Sequence, residues 1–349
     1  MSEFNYEQCL NLLRQLDECG VQSITLTGGE PMLHPNFMEV CREIERRGLT
    51  ISELTTNGSF ITPEMLDEFE KYKSKPLFKI SLDGLGHHDW FREKQGSEKE
   101  VLDKITLLRN KGFRVRIQTN VHRGNIETIL PTILIADKMG VEEIRIMRTS
   151  ESPRWEELSG ELTLSVEEYY NFALDLTRAL LIEDIKIYID IWQVLRIWPN
   201  TKTYSHVPVQ GGVNKYRDNL PVCRDSRGQI AITPDGDVVP CILMSGWFKK
   251  LGISMGNVHK TPLRELLTNS EYLDTICHTV GEIRDKNPNC QACEYWKLCL
   301  GGCRLIGMIY GGSYESYDPA KCINFYKYME KFTSIFTNEW HCANDLVIV

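Results

Sequence analysis

The sequence predicts an α/β protein with a largely parallel sheet, followed by a small cysteine-rich domain. In the first 150 residues, five short runs rich in β-branched residues alternate with amphipathic stretches of helical period. Strands and helices that alternate at this spacing form right-handed βαβ units, which build an open or barrel-like parallel sheet. In the rest of the chain, eight of the twelve cysteines lie from Cys223 to Cys322. That density predicts a metal-binding region.

Each predicted strand is short and is followed by turn-forming residues. The strand runs are SITLTGG at 23–29, ISELTTNG at 51–58, LFKISLDG at 77–84, RVRIQTNV at 114–121 and EEIRIMR at 142–148. The helical stretches between them mostly end at or near a glycine, which is typical of a helix C-terminus. A further amphipathic stretch, YEQCLNLLRQLDECG, precedes the first strand. A linker and a long helix that begins near Ser165 are predicted after the last strand.

Unusual residues are concentrated where the predicted strands end, which is where parallel α/β folds place their chemistry. Each of them alone is typical of a turn. Together they offer bare backbone, carboxylates, a hydroxyl and a cation, which suit a zwitterionic ligand that carries a ribose. These candidate ligand-binding residues are Gly28, Gly29, Glu30, Pro31, Asn57, Ser81, Asp83 and Arg148. No catalytic acid–base pair is evident, and we interpret His87, His88 and Asp89 as a solvated loop.

Composition excludes several classes of partner. A net charge of -8 and the absence of a basic stripe argue against nucleic acid. The sequence has no signal-peptide pattern and no run of eighteen apolar residues, so we expect a cytoplasmic protein without a membrane span. In a reducing compartment, dense thiols indicate metal binding or catalysis rather than disulfides.

Cysteine spacing distinguishes between metals. Seven thiols follow the pattern C-x12-G-x4-C, then C-x2-C-x5-C-x3-C, then one more cysteine. The stretch ITPDGDVVPC is predicted to be a hairpin that delivers Cys241, because Asp-Gly favours a tight turn. A zinc-stabilised domain is the first alternative, but two closed zinc sites would want eight thiolates. The seven candidate ligands fit two iron–sulfur clusters better: Cys223, Cys241, Cys290, Cys293, Cys299, Cys303 and Cys322.

This spacing resembles the SPASM domain of radical S-adenosylmethionine (SAM) enzymes at every position, and GGEP at 28–31 resembles the GGE motif of that family. The resemblance covers roughly 5–150 and 220–330. It implies a partial (β/α)6 TIM-like barrel that lacks its first strand, joined to a SPASM domain whose β-hairpin helps to bind auxiliary clusters. The implied segments are a partial barrel at 1–150, a connector at 151–219, a SPASM domain at 220–330 and a tail at 331–349.

The resemblance also implies roles for individual residues. The GGE motif would hold the methionyl amine of SAM, Ser81 and Asp83 would face its ribose, and Arg148 would meet its carboxylate. Two auxiliary [4Fe–4S] clusters are implied. The first would take Cys223, Cys241 and Cys303, and the second Cys290, Cys293, Cys299 and Cys322.

The implied activity is radical modification of a peptide or protein, with thioether or carbon–carbon cross-links in a ribosomal precursor peptide as the expected products. The implied partners are that substrate and an electron donor such as flavodoxin or ferredoxin. An anaerobic sulfatase-maturase-like enzyme is an alternative within the family. A non-catalytic iron–sulfur scaffold is an alternative of another class.

One family motif is absent from the sequence. C-x3-C-x2-C, which ligates the catalytic [4Fe–4S] cluster, does not occur. Cys9, Cys19 and Cys41 are placed on helices and do not replace it; Cys277 and Cys342 are also expected to be non-ligands. The first strand, ITLTGG, lacks edge-blunting residues and is predicted to be fully buried, so we expect an N-terminally shortened chain. The catalytic cluster is expected only in an intact chain, and this one is expected to be inactive.

Overall fold

The computed structural model describes residues 3–149, 153, 160–207, 217–223 and 228–343. Parts of the predicted connector, 151–219, and the end of the predicted tail, 344–349, lie outside these described residues. Two compact units are present. The first comprises Met1–Thr149, Ile185–Asp190 and Pro262–Arg264, and the second Ser150–Asp184, Ile191–Thr261 and Glu265–Val349. Within the described ranges, no helix combines the length and the apolar character that crossing a membrane requires.

The first unit is a parallel sheet with helices between its strands. The strands are β1 (Ser23–Leu26), β2 (Thr50–Thr56), β3 (Leu77–Ser81), β4 (Val115–Val121), β5 (Glu143–Arg148) and, as far as Asp190, β6 (Tyr188–Ile191). They lie side by side in chain order, and β1 to β5 pair in parallel. The helices are α1 (Tyr6–Glu18), α2 (Phe37–Arg46), α3 (Pro63–Phe69), α4 (His88–Phe91), α5 (Ser97–Asn110) and α6 (Ile129–Lys138). The predicted α/β class and all five strands are confirmed.

Local signals explain where these helices begin. Asn5 and Gln8 form a reciprocal capping box at the start of α1, and Thr62 caps α3, whose first residue is Pro63. These caps satisfy backbone N–H groups that have no partner within the helix. Alternate strand residues that face the helices form the core, where the ring of Phe78 makes edge contacts with Phe69 and Phe113.

The prediction that the first strand is fully buried and has no bulge is wrong. Strand β1 alternates between exposed and half-buried residues, and its pairing with β2 shifts register between Ile24 and Thr25. The physical reason is its position: β1 ends the strand order, so it is covered by fewer neighbours, and an irregular register is a common feature of sheet edges. Strand β1 is thus an exposed edge strand with an irregular register.

One face of this sheet carries a ladder of alternating charges. Arg116 Nη1 lies 3.2 Å from a carboxylate oxygen of Glu53, and Arg116 Nη2 lies 2.6 Å from one of Glu143. Three cations face three anions, so the ladder is balanced in charge, as burial of ionic groups requires. Its members are Glu53, Lys79, Arg116, Glu143, Arg145 and Asp190. Ser81 and Gln118 share this face, because each lies two residues beyond a ladder cation on its strand.

The second unit begins, in its described part, with the predicted long helix, α7 (Val166–Leu180). Ser165 is its N-cap and forms a capping box with Glu168, so the predicted start is confirmed. Strands β7 (Leu195–Trp198) and β8 (Thr203–His206) are antiparallel, and β11 (His341–Cys342) pairs in parallel with β8. Strands β9 (Ala231–Ile232) and β10 (Val238–Val239) form the predicted hairpin.

Short helices occupy most of the remaining second unit. Three of them end at a residue in the left-handed conformation, which stops the helix and turns the chain: Gly252, Leu300 and Gly312. The helices are α8 (Ser245–Leu251), α9 (Leu263–Leu266, whose first two residues belong to the first unit), α10 (Ser270–Ile276), α11 (Val280–Lys286), α12 (Pro288–Gln291), α13 (Trp296–Cys299), α14 (Arg304–Gly311), α15 (Pro319–Ile323) and α16 (Met329–Thr333). A π-helical segment, Asn324–Tyr328, joins the last two.

Candidate functional site

The loop after β1 combines backbone that borders open space with the carboxylate of Glu30, which accepts hydrogen bonds from the protein. An added Cβ at Gly28 or Gly29 would meet no heavy atom within 4 Å, so the main chain here borders open space. Glu30, by contrast, accepts hydrogen bonds from Thr56 Oγ1 at 2.9 Å and from the backbone N–H of Asn57 at 2.8 Å. It ties this loop to the end of β2. The binding of an ammonium group by Glu30 stays a prediction, since Glu30 is half-buried and a carboxylate can accept about four hydrogen bonds.

Asp83 lies in a buried network and does not face a ligand. It is fully buried, and Arg92 Nε donates to its Oδ2 at 2.8 Å, while the backbone N–H of Asn120 donates to Oδ1 at 3.1 Å. Burial favours the neutral carboxyl, but the hydrogen bond with His88 and the charge of Arg92 hold the pKa of Asp83 below its ordinary value. The expected contact of Asp83 with a ribose is corrected to a structural role, in which it orders the segment after β3.

The segment 87–89, predicted to be a solvated loop, is instead ordered. His88 is buried within α4. Asp89 accepts hydrogen bonds from the backbone N–H groups of Gly96 and Glu98, at 2.6 and 2.7 Å, so it caps the start of α5. Those hydrogen bonds lower the pKa of Asp89. The spacing of seven to nine residues between the cap and its partners is longer than the local motifs that a sequence pattern reveals.

A pair of histidines, which the sequence did not predict, lies beyond the ends of β3 and β4. His87 Nε2 and His122 Nε2 are 3.2 Å apart, and Phe91 stacks on the His122 ring. The backbone N–H of Gly124 donates to His122 Nδ1 at 3.1 Å, so His122 carries its proton on Nε2 and donates to His87. This leaves both rings neutral. Burial, and after it the charge of neighbouring His87, lowers the pKa of His122 to about 4.

We expect stability to fall as the pH drops from about 6.5 to about 4. The unfolded chain protonates His122 near its ordinary pKa, whereas the folded chain does so only near 4, so stability present above 6.5 is lost on acidification. That difference corresponds to roughly 3 kcal/mol. His122→Phe, which keeps a ring against Phe91, should flatten the urea-unfolding free energy over this range. An unchanged slope in the variant would show that His122 does not carry the effect.

The other predicted SAM contacts stay at the ends of the strands. Ser81 ends β3 on the face of the charge ladder, and Arg148 ends β5. Asn57 follows β2 and accepts a hydrogen bond from Ser59 N–H at 2.8 Å, while Pro31 opens a 3-10 turn. Parallel strands bring these ends to one edge of the sheet. Of the predicted set, the two glycines, Ser81 and Arg148 remain the strongest candidates for binding SAM.

The cysteines of the second unit fall into two neighbourhoods. Burial, followed by the charges of Cys322 and Cys293, raises the pKa of Cys290 to about 11. Cys299 is influenced by Cys322 in the same way, whereas the pKa of Cys303, raised to about 11 mainly by burial, also responds to Cys241. The division of these thiols into two ligand sets stays a prediction. In the described part of the chain, no three His, Cys, Asp or Glu side chains converge closely enough to hold a metal ion.

The hairpin that precedes Cys241 is built as the sequence predicted. Gly236 has a φ of 87°, and an added Cβ would lie 2.4 Å from His259 Cδ2, so only glycine fits this turn. Strand β10 then runs to within two residues of Cys241. Of the cysteines expected not to bind metal, Cys9 lies in α1, Cys19 is its C-cap, Cys41 is buried in α2 and Cys277 is exposed at the end of α10.

Asp318 fixes the backbone beside two of the candidate ligands. Its carboxylate accepts hydrogen bonds from the N–H of Cys303 at 2.9 Å and from the N–H of Lys321 at 3.1 Å. Gly302 has a φ of 71°, and an added Cβ would lie 2.4 Å from Asp318 Cβ. The carboxylate can therefore reach both N–H groups only because residue 302 has no side chain.

Gly302→Ala should lower the free energy of unfolding of the second unit by more than 2 kcal/mol, a rough sum of the left-handed backbone cost of about 1–2 kcal/mol and the clash with Asp318. Gly312→Ala is the matched control, because its φ is 77° but an added Cβ there meets nothing within 4 Å. Gly312→Ala should lower the free energy of unfolding only by the cost of the left-handed backbone. Equal losses in the two variants, measured by urea unfolding, would contradict the proposed role of the close approach.

Comparison with known proteins finds a family match for two regions of the chain. Residues 2–145 match the radical SAM superfamily, and residues 223–294 match SPASM, an iron–sulfur cluster-binding domain. An AdoMet-dependent heme synthase of Methanosarcina barkeri is 24% identical over 322 residues, covering 91% of this chain and 87% of the relative. A PqqA peptide cyclase of Streptomyces rochei is 24% identical over 328 residues, covering 91% and 81%.

The fold agrees with this assignment. The crystal structure of Streptococcus suis SuiB bound to S-adenosylmethionine matches 90% of this chain and 69% of its own, with a TM-score of 0.64 and 18% identity. A likeness at that identity establishes the fold. The sulfatase-maturase-like alternative is not favoured by the relatives described here. The chain therefore carries a radical SAM domain at residues 2–145 and a SPASM iron–sulfur cluster-binding domain at residues 223–294.

Proposed function

We propose that this protein, in a form that also carries the catalytic-cluster loop, modifies a ribosomal precursor peptide by radical chemistry, forming a thioether or carbon–carbon cross-link, and that residues 1–349 alone are inactive. The observation that carries the proposal is the pairing of a radical SAM domain with a seven-cysteine SPASM pattern. Support comes from the relative named PqqA peptide cyclase and from a fold neighbour, SuiB, that was crystallised with its precursor peptide SuiA. The proposed compartment is the cytoplasm. The proposed barrel, connector and SPASM segments end at residues 150, 219 and 330.

We propose that the seven cysteines hold two auxiliary [4Fe–4S] clusters, in the two sets given above. The donor chemistry fits: thiols packed together in a poorly hydrated region raise one another's pKa, so the thiolate forms need a bound cationic cluster core. When bound, such clusters supply one-electron transfer. Flavodoxin or ferredoxin is the proposed class of electron donor.

SAM and the catalytic cluster differ in how well the present residues fit them. Open space beside the Gly28 and Gly29 backbone, with Ser81 and Arg148 at nearby strand ends, fits a bound SAM. The catalytic cluster does not fit, because residues 1–349 contain no C-x3-C-x2-C. No step is assigned to that cluster in this chain.

A second candidate function is supported by a specific observation. The match with this chain spans a larger share of the relative named AdoMet-dependent heme synthase than of the peptide cyclase, and the two identities are equal. A tetrapyrrole substrate would then replace the peptide. The non-catalytic scaffold is the candidate of another class, and it predicts that no small product depends on the gene.

Deletion of the gene in its host separates these candidates. We expect a precursor peptide in the deletion strain to be heavier by two hydrogen atoms for each missing cross-link, with the haem content unchanged. High-resolution peptide mass spectrometry and a haem assay measure the two outcomes. Loss of haem with an unchanged set of peptides would overturn the proposal in favour of haem synthesis. No change in either would overturn it in favour of a scaffold.

A further inference from the structure

Arg304 is a buried cation with an unused hydrogen-bond donor. It is 1% exposed and directly follows the candidate ligand Cys303. Its Nη1 donates to the backbone oxygens of Tyr314 and Ser316, at 3.0 and 2.9 Å, and its Nη2 donates to that of Gly301. Its Nε has no partner among the described residues. A buried donor left unpaired is destabilising, so its presence points to a missing acceptor.

Within the described part of the chain, no carboxylate forms an ion pair with this guanidinium. Its three hydrogen-bond acceptors are neutral carbonyls, and Asp318, the nearby carboxylate, accepts from backbone N–H groups. Arginine remains protonated even when buried, and a buried cation is costly unless an opposite charge compensates it. The negative group that acts on Arg304 most strongly is the thiolate form of Cys303, ahead of Asp318.

A second cation lies in the same region. Lys321 is 1% exposed, next to the candidate ligand Cys322, and its Nζ donates to the backbone oxygens of Gln193 and Val207. The charges that act on it are those of Asp318, Cys299 and Cys303. Two buried cations and one buried carboxylate leave this region with an excess positive charge. An iron–sulfur cluster with thiolate ligands carries a net negative charge, which grows when it accepts an electron.

We propose that Arg304 donates its Nε–H to a sulfur of the cluster held by Cys303, and that this bond and charge raise the reduction potential of that cluster. The inference rests on the proposed ligand set. Hydrogen bonds to cluster sulfurs and nearby charge are the means by which proteins set such potentials. Only one electron moves, from the external reductant to the cluster, and Arg304 keeps its proton throughout.

Potentiometric titration monitored by electron paramagnetic resonance tests this on the anaerobically reconstituted 349-residue chain. In Arg304→Gln, the ratio of reduced to oxidised cluster at a fixed potential should fall at least tenfold for one of the two signals, which equals about 59 mV for a one-electron couple. In Arg304→Lys, which keeps the charge, the ratio of reduced to oxidised cluster should fall less. The matched control is Arg284→Gln, because Arg284 pairs with the exposed carboxylates of Asp218 and Asp285. It should leave both signals unchanged.

Arg304→Gln that retains its iron with unaltered potentials would overturn the inference. If that variant fails to fold, wild-type protein labelled with 15N-arginine replaces it. Pulsed resonance of the reduced cluster should then show a hyperfine coupling to the labelled nitrogen, and no coupling would overturn the inference. Wild-type protein without iron would instead overturn the ligand assignment on which the inference rests.

Discussion

Changing Cys290, Cys293 and Cys299 together to alanine should remove about half of the iron, about four of eight atoms per chain. These three thiols belong to one proposed ligand set, and Cys290 and Cys293 are separated by only two residues. A four-iron cluster does not survive on one remaining thiolate. Iron analysis after anaerobic reconstitution gives the result directly.

The same variant should unfold more easily. Cys290 packs in a buried cluster with Val280, Ile283 and Trp296, so the ligand loop and the local core are one structure. Metal binding that is coupled to folding stabilises such a unit. The matched control is Cys277→Ser, since that thiol is exposed at a helix end. Unchanged iron in the triple variant, or the loss of one resonance signal in Cys277→Ser, would contradict the ligand assignment.

Residues 1–349 alone should release no 5′-deoxyadenosine from SAM under strong reductant. Cleavage in this family needs an iron with an open coordination site, which three thiolates of a C-x3-C-x2-C loop provide, and the sequence contains no such loop. SAM binding is a separate matter, because the Gly28 and Gly29 backbone, Ser81 and Arg148 remain. Chromatography of the reaction mixture measures the nucleoside.

The control for this prediction is an extended chain. Joining a strand and a C-x3-C-x2-C loop to the N-terminal side of residue 1 should switch the release of 5′-deoxyadenosine on, while the unextended chain stays at the level of a no-protein blank. Release by residues 1–349 above that blank would show that another set of ligands in the chain holds the catalytic cluster.

The sequence was sufficient where short-range pattern decides the structure. Period-2 and period-3.6 patterns located the strands and helices, and Ser165 with Glu168 marked the start of α7 because a capping box is a local device. The Asp235-Gly236 turn was equally local, since a φ of 87° is glycine's own region. The cysteine spacing identified the SPASM domain for the same reason.

Long-range partners decided what the sequence could not. Glu30 meets residues 26 and 27 positions away, and Asp83 meets Asn120 across 37, so the residues that occupy those carboxylates were not visible in either motif. His87 and His122 are 35 residues apart and become neighbours only because adjacent parallel strands end together. The burial of β1 was overestimated because its composition does not tell an edge strand from a central one.

Iron, acid-labile sulfide and Mössbauer spectra of the anaerobically reconstituted chain test the central claim, that this SPASM domain binds two auxiliary clusters. Two bound clusters should give about eight iron and about eight sulfide per chain, with all iron in [4Fe–4S] signals. About four iron per chain, or zinc in place of iron, would contradict it.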